Sequence, residues 1–384
     1  MTEVQDAIQS EDANGAKQNW EGETSTSSWM NWQYDFSKKM RLRYAVDIAG
    51  VNPLYPDNFV KSIRMSPNGC SFLYSTEDGM IRYIDLRSVD FWGCEEAKEN
   101  PTVPETLSEK YSFNHTEIVY GMDWVPRLDI ECFVSCCKDT PIRLWDVTTG
   151  STSNYISYDH LDQVMTALSC RILRDGQNLL GGYKKCIRVF ELERPGREVC
   201  SVSDIPGIVS TIDDDYSSCI AFGTFDGVLS LLDARLLGYE NPIAWSSQVA
   251  PRGVHEVRLM TSLPYVFVNE RFTGNIKCFD RRNMDNPVYS VYRTSQTQQK
   301  LEFSLSANEQ WMSSGDTEGY ISIWNTTTGS VVYHQQVYSD AIPCSCFHPY
   351  NPLLVCGTGQ RHFGEDSVPS CCLVYQLPWA YTNL

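Results

Sequence analysis

The feature that most constrains this chain is a short motif that keeps returning. A turn residue is followed by hydrophobic residues three and five positions later, a bulky apolar residue at six, and often Asp at seven. Asp78-Gly79-Met80-Ile81-Arg82-Tyr83-Ile84-Asp85 has this form, as does Asp139-Thr140-Pro141-Ile142-Arg143-Leu144-Trp145-Asp146. Further units end at Glu191, Asp233, Asp280 and Asn325, and a degenerate one ends Cys372-Leu373-Val374-Tyr375-Gln376. The final residues of these seven units lie 61, 45, 42, 47, 45 and 51 positions apart. Apolar and polar residues alternate with a period of two, which is the periodicity of a strand and not of a helix.

Upstream of most units lies another short strand and a turn, such as Met65-Ser66-Pro67-Asn68-Gly69 and Leu173-Arg174-Asp175-Gly176. Strand, turn, strand, tight turn, strand at a period of about 40–45 residues predicts an all-β, seven-bladed WD-repeat β-propeller. Radial closure leaves only short sheet edges. Because the seventh unit ends near Leu384, the strand-like stretch Met40 to Ile48 is expected to complete the last blade. The propeller is predicted over residues 29–384. Residues 1–28 carry one Lys against six Asp and Glu and read as a disordered acidic tail. The segment 87–112, polar and acidic, reads as a long surface loop that accounts for the 61-residue spacing.

Composition narrows the function. The 384 residues are 42% hydrophobic and 12% aromatic, enough for a large core. The net charge of −17 argues against a protein that grips duplex DNA with its whole surface, while leaving room for a local basic patch. Met1 to Gly15 lacks a basic stretch followed by an apolar one, and the Cys count of 15 is odd. Free thiols in a reducing compartment are therefore expected. No apolar run reaches the roughly 18 residues of a membrane span, so no membrane association is expected. Neighbouring cysteines such as Cys136-Cys137 and Cys371-Cys372 point to opposite faces of a strand, and no CxxC occurs, so no metal site is expected.

Catalytic and cofactor motifs are missing too. There is no Walker A sequence, GxSxG or HExxH, and Gly357-Thr358-Gly359 lacks the further glycine of a dinucleotide fingerprint. His115, Ser135, Asp139 and Trp145 superficially suggest a triad. Their placement fits instead a hydrogen-bonded chain of loop His, strand hydroxyl, turn Asp and indole N–H that stiffens one blade. Neither enzymatic activity nor a cofactor is expected. Asp213-Asp214-Asp215 reads as a solvated turn, and Arg82, Arg143, Arg188 and Lys277 as blade-building residues.

Other cations fall outside the repeat register. Lys184 and Lys185 replace the turn Asp of the third unit, and Arg194-Pro195-Gly196-Arg197 follows directly. Arg271-Phe272 and Arg281-Arg282 lie near unit five, and Gln360-Arg361-His362-Phe363 near unit seven. Cations beside aromatics suit single-stranded RNA, whose phosphates pair with Arg and Lys and whose bases lie on rings. The candidate RNA-binding residues are Lys184, Lys185, Arg194, Arg197, Arg361 and Phe363.

Several of these pieces carry a family resemblance. They are Asn58-Phe59-Val60-Lys61, Tyr158-Asp159-His160-Leu161-Asp162, Arg194-Pro195-Gly196-Arg197, Thr297-Gln298-Gln299-Lys300 and Gly359-Gln360-Arg361-His362-Phe363. With the blade motifs between them, they resemble the telomerase Cajal body protein 1 family. The resemblance implies binding to the CAB box of small Cajal body RNAs and, in some lineages, telomerase RNA. It also implies contact with H/ACA ribonucleoprotein proteins and residence in the nucleus, at Cajal bodies. The alternative from the residues alone is a generic WD-repeat protein-interaction scaffold without direct RNA binding.

Overall fold

A computed structural model describes residues 32–48, 58–89, 104–115, 117–239, 242–362 and 368–381. The tail 1–28 and Phe363 lie outside the described residues. The strands form seven radial antiparallel sheets, each built on a four-strand meander. From the first blade to the seventh, the innermost strands are Val60–Met65, Val119–Trp124, Ser169–Ile172, Val209–Asp214, Val254–Leu259, Phe303–Leu305 and Cys344–Phe347. The seventh blade is closed as the sequence predicts: Arg41–Asp47 supplies its outermost strand by pairing antiparallel with Cys371–Gln376. Within the segment 87–112, Glu105–Thr106 adds a parallel edge to Arg41–Asp47, and Tyr111–Asn114 is already the outer strand of the first blade.

Both faces of every blade are covered, so the apolar residues of the repeat motif reach into both neighbouring junctions. In Met80–Asp85, Ile81 and Tyr83 enter the apolar cluster shared with the second blade, and Ile84 enters the one shared with the seventh. Seven such clusters occur among the described residues, one at each junction between neighbours.

Near the axis the blades are joined by charge. Sheet register places Arg64, Asp123, Arg171, Asp213, Arg258, Ser304 and Cys346 at the same level of successive innermost strands. Arg171 lies 2.9 Å from Asp213 on one side and 3.3 Å from Asp123 on the other, and Arg258 lies 3.9 Å from Asp213. Arg64 reaches Glu302 at 2.7 Å. The acids also accept backbone N–H groups from the next blade. Asp123 accepts from Ile172 (2.9 Å), Asp213 from Leu259 (2.7 Å) and Glu256 from Phe303 (3.1 Å). An innermost strand has no further strand beside it, so its inward N–H groups need such partners.

This corrects the reading of Asp213-Asp214-Asp215 as a solvated turn. All three are buried, and the first two belong to the innermost strand. Asp213 is fully buried; Arg171, Arg174 and Arg258 converge on it, and Asp215 pairs with Arg281. Arg82, expected to build the blade, does so inside it, 3.0 Å from Asp78 and 3.1 Å from Glu109. Below the charged belt the axis widens into a funnel of about 420 Å³, and a cavity of about 40 Å³ lies above it.

Burial pushes the Asp213 carboxyl up, but Arg171, Arg174 and Arg258 more than offset this and hold it below the usual range. Its contribution to stability is therefore complete above the unfolded value of about 3.9 and is lost as pH falls through the lower folded value. Asp213→Ala, which leaves buried guanidinium groups uncompensated, is expected to lower the unfolding free energy by about 3–5 kcal/mol in urea titrations at pH 7.

Candidate nucleic-acid interface

In an antiparallel meander, alternate connections emerge on opposite faces. The links from second to third strand, and from each blade to the next, share one face, called upper here. The links from first to second and from third to fourth strand share the lower face.

The hydrogen-bonded chain of the second blade forms around Ser135. Its Oγ accepts from Trp145 Nε1 at 2.7 Å and lies 2.7 Å from His115 Nε2. Asp139 stands outside it. The other imidazole nitrogen lies 3.1 Å from Cys137 Sγ, which is 2.8 Å from Thr140 Oγ1. Asp139 itself is exposed, in the left-handed conformation at φ 56°, with Lys138 at 3.8 Å. A turn residue in that conformation aims its carboxylate outward, so the thiol and the threonine hydroxyl take its place. Burial, with Arg143 nearby, pushes His115 down to about 4.

Lys184 and Lys185 stand exposed on the upper turn between the second and third strands of the third blade. Lys185 is left-handed at φ 66°, and its N–H donates to the Gly207 carbonyl at 2.7 Å. No acidic side chain pairs with either lysine among the described residues. Arg194 is exposed where the chain leaves the third strand toward the lower face.

The chain then crosses to the outer edge of the second blade, where Gly196–Arg197 pairs in parallel with Thr152–Ile156. This brings together two of the resembling motifs: the Arg197 guanidinium lies over the Tyr158 ring, 4.7 Å from its centroid. Tyr158 opens a tight loop in which Asp159 Oδ1 accepts from Leu161 N–H (2.8 Å) and Gln163 N–H (2.9 Å). The loop holds Leu161 64% exposed at its tip.

Arg361 lies across the ring, on the upper connection of the seventh blade, paired with Glu77 of the first. Lys61 shares that carboxylate at 3.0 Å. Burial, then the positive charges of Arg361 and Lys300, push Lys61 down to about 8. Gln360 and His362 both reach Asp340, at 2.7 and 2.8 Å.

The candidates therefore do not form one patch. Lys184, Lys185 and Arg197 gather at the second and third blades, Arg361 joins Lys61 and Lys300 at the first and seventh, and Arg194 points away from both. Glu77 with Lys61, Arg361 and Lys300 come from the first blade, the seventh and the connection into the sixth, a convergence that no local spacing reveals. An aromatic in a tight turn, as at Phe225 and Phe272, is the one local signal the sequence offers for a further part of this face.

No family model matches the chain. Among known proteins it is similar to Telomerase Cajal body protein 1 homolog of Drosophila melanogaster, at 27% identity over 327 residues, covering 81% of this chain and 58% of that protein. It is equally similar to Telomerase Cajal body protein 1 of Homo sapiens, at 27% over 358 residues, covering 88% of this chain and 63% of that protein. More distant is Guanine nucleotide-binding protein negative regulator 1 of Schizosaccharomyces pombe, at 22% over 311 residues. The chain thus spans about six-tenths of the length of its Cajal body relatives.

Ser135→Ala strands the Trp145 N–H and one imidazole nitrogen, with an expected loss of about 2 kcal/mol in denaturant unfolding. Asp139→Asn should change stability by no more than about 0.5 kcal/mol. Because the folded chain keeps His115 neutral down to about 4 while the unfolded chain protonates it near 6.5, its contribution is complete above 6.5 and is lost as pH falls toward 4. His115→Gln should flatten the stability profile across that window.

Proposed function

We propose that this chain, a seven-bladed WD-repeat relative of the telomerase Cajal body proteins, is a non-catalytic, RNA-binding scaffold. It would recognise the CAB box of small Cajal body RNAs and, where telomerase RNA carries that box, telomerase RNA. It would direct H/ACA ribonucleoproteins to Cajal bodies in the nucleus.

The observation that carries this reading is where the resembling motifs fall. Tyr158 to Asp162, Thr297 to Lys300 and Gly359 to His362 lie on connections of the upper face, and Asn58 to Lys61 runs from one into the start of the first blade's innermost strand. Arg197 is brought to the same rim by its parallel pairing and its stack on Tyr158. Phe59 and Val60 are core residues, but blade geometry does not require the exposed Leu161 and Arg361 or the half-buried Lys300, so a shared ligand explains the common placement of these better than folding does. On a protein of net charge −17, cations gathered on one face concentrate attraction for phosphate there. Affinity from such contacts falls as salt rises, while unstacked bases on rings supply recognition.

The test is a charge-reversal series, Lys184→Glu, Lys185→Glu, Arg197→Glu and Arg361→Glu, in a mobility-shift assay with a CAB-box RNA hairpin at two salt concentrations. Each lost phosphate contact should weaken binding and reduce the logarithmic salt slope by roughly 0.7. Four variants that bind like the parent at both salts overturn the assignment of the site. Crosslinking and sequencing from cells that recovers protein partners and no small nuclear RNA favours the generic scaffold instead.

A further inference from the structure

Arg271 and Phe272, noted in the sequence near unit five, remain unused by the reading above. They occupy the upper connection Arg271–Gly274 of the fifth blade, which has four residues where Glu77–Gly79 and Phe225–Gly227 have three in the first and fourth blades. Within it Phe272 is left-handed, at φ 59°. For a bulky aromatic that conformation is an outlier worth of order 1 kcal/mol or more of strain. Its ring is 37% exposed.

The Arg271 guanidinium lies 4.5 Å from the centroid of Phe272 and 4.6 Å from that of Phe225. Gly253 allows this approach: a Cβ there would stand 2.5 Å from the Phe225 carbonyl oxygen and 3.0 Å from Arg271 Cδ. Arg271 Nε donates to His255 Nε2 at 3.1 Å, so the imidazole is neutral. Burial, then Lys300, Arg271 and Arg293, disfavour its protonation. No carboxylate pairs with Arg271 or Arg293 among the described residues. Arg293, 5% exposed, is used inside the fold: its guanidinium donates to Ser314 Oγ, Asn269 Oδ1 and the Leu301 and Glu302 carbonyls.

An Arg271 guanidinium that no carboxylate pairs among the described residues, against a ring held in a strained conformation, is arranged for an anion that also brings a flat face. We infer that the upper connection of the fifth blade is a base-stacking subsite for single-stranded RNA. An unpaired base lies on the Phe272 ring, and the adjoining phosphate is taken by Arg271. This rests on the RNA-binding reading above and places one contact of that ligand. A carboxylate-bearing peptide would use the cation but has no need of the ring.

The ring can be removed while its strain is relieved. Phe272→Gly frees the left-handed position, so the full chain should melt at the parent's temperature or higher. Its affinity for a fluorescein-labelled CAB-box hairpin should nevertheless fall by roughly five- to 150-fold in fluorescence anisotropy, the range for losing one stacked base. The same hairpin with abasic loop positions should bind parent and Phe272→Gly equally. Arg271→Met should weaken both RNAs and reduce the salt slope by roughly 0.7. Tyr239→Ala, which removes a 73% exposed ring on the lower face, should change neither.

If the parent and the Lys184→Glu series respond to RNA as proposed but Phe272→Gly binds the hairpin like the parent, this subsite is wrong and the function stands. Equal loss on the abasic hairpin also overturns stacking. Binding of a polyglutamate peptide that displaces the RNA, is retained by Phe272→Gly and is lost in Arg271→Met would make the occupant a protein. A parent that binds neither hairpin overturns the RNA reading itself, and this subsite with it.

Discussion

The interaction on which the rest of this molecule depends is the passing of backbone N–H groups to carboxylates on the neighbouring blade. Seven sheets packed side by side leave seven innermost strands, each with an edge turned toward the axis. Asp123, Asp213 and Glu256 take N–H groups of the next blade, and Arg171 ties Asp123 to Asp213. Apolar clusters supply most of the burial between blades, but they are non-directional. The charged belt adds direction, since each acid has one N–H to meet and one to three guanidiniums to share. It also consumes the charge near the axis, so a ligand must be met by side chains on the connections.

The repeat was readable because strand periodicity and turn chemistry are local. Both faces of each blade are buried, so Ile81, Tyr83 and Ile84 announce themselves in a few residues, and Arg41–Asp47 could be matched to the incomplete seventh unit. What escaped was set by neighbours distant in sequence. Three consecutive acids look solvated until Arg171, Arg174 and Arg258 are brought in from the blades on either side. Asp139 occupies the expected turn position, yet its left-handed backbone removes it from the His115 chain, and Cys137 replaces it.

The site was legible to a similar degree. Residue type was informative: cations and aromatics outside the blade register did lie on connections. Grouping was not, because a ring places residues by blade and face and not by sequence distance. Arg194 and Arg197 are three positions apart and part company, whereas Arg361 and Lys61 meet at Glu77. Tyr158 and Arg197 belong to different motifs and form one stack, held by a parallel pair of residues that no strand pattern would reveal.

The composite seventh blade has a consequence for how the molecule is made. Asp47 faces Cys371 across the closing ladder, so a strand made before the first blade finds its partner only after the other six blades have been synthesised. Until then Tyr44 and Val46, both buried in the finished ring, have no sheet to cover them. Pairings between such remote segments are slow to form, and an unpaired strand is an invitation to other chains. The nascent protein is thus exposed to misassociation for longest at the one junction that turns an open fan into a wheel.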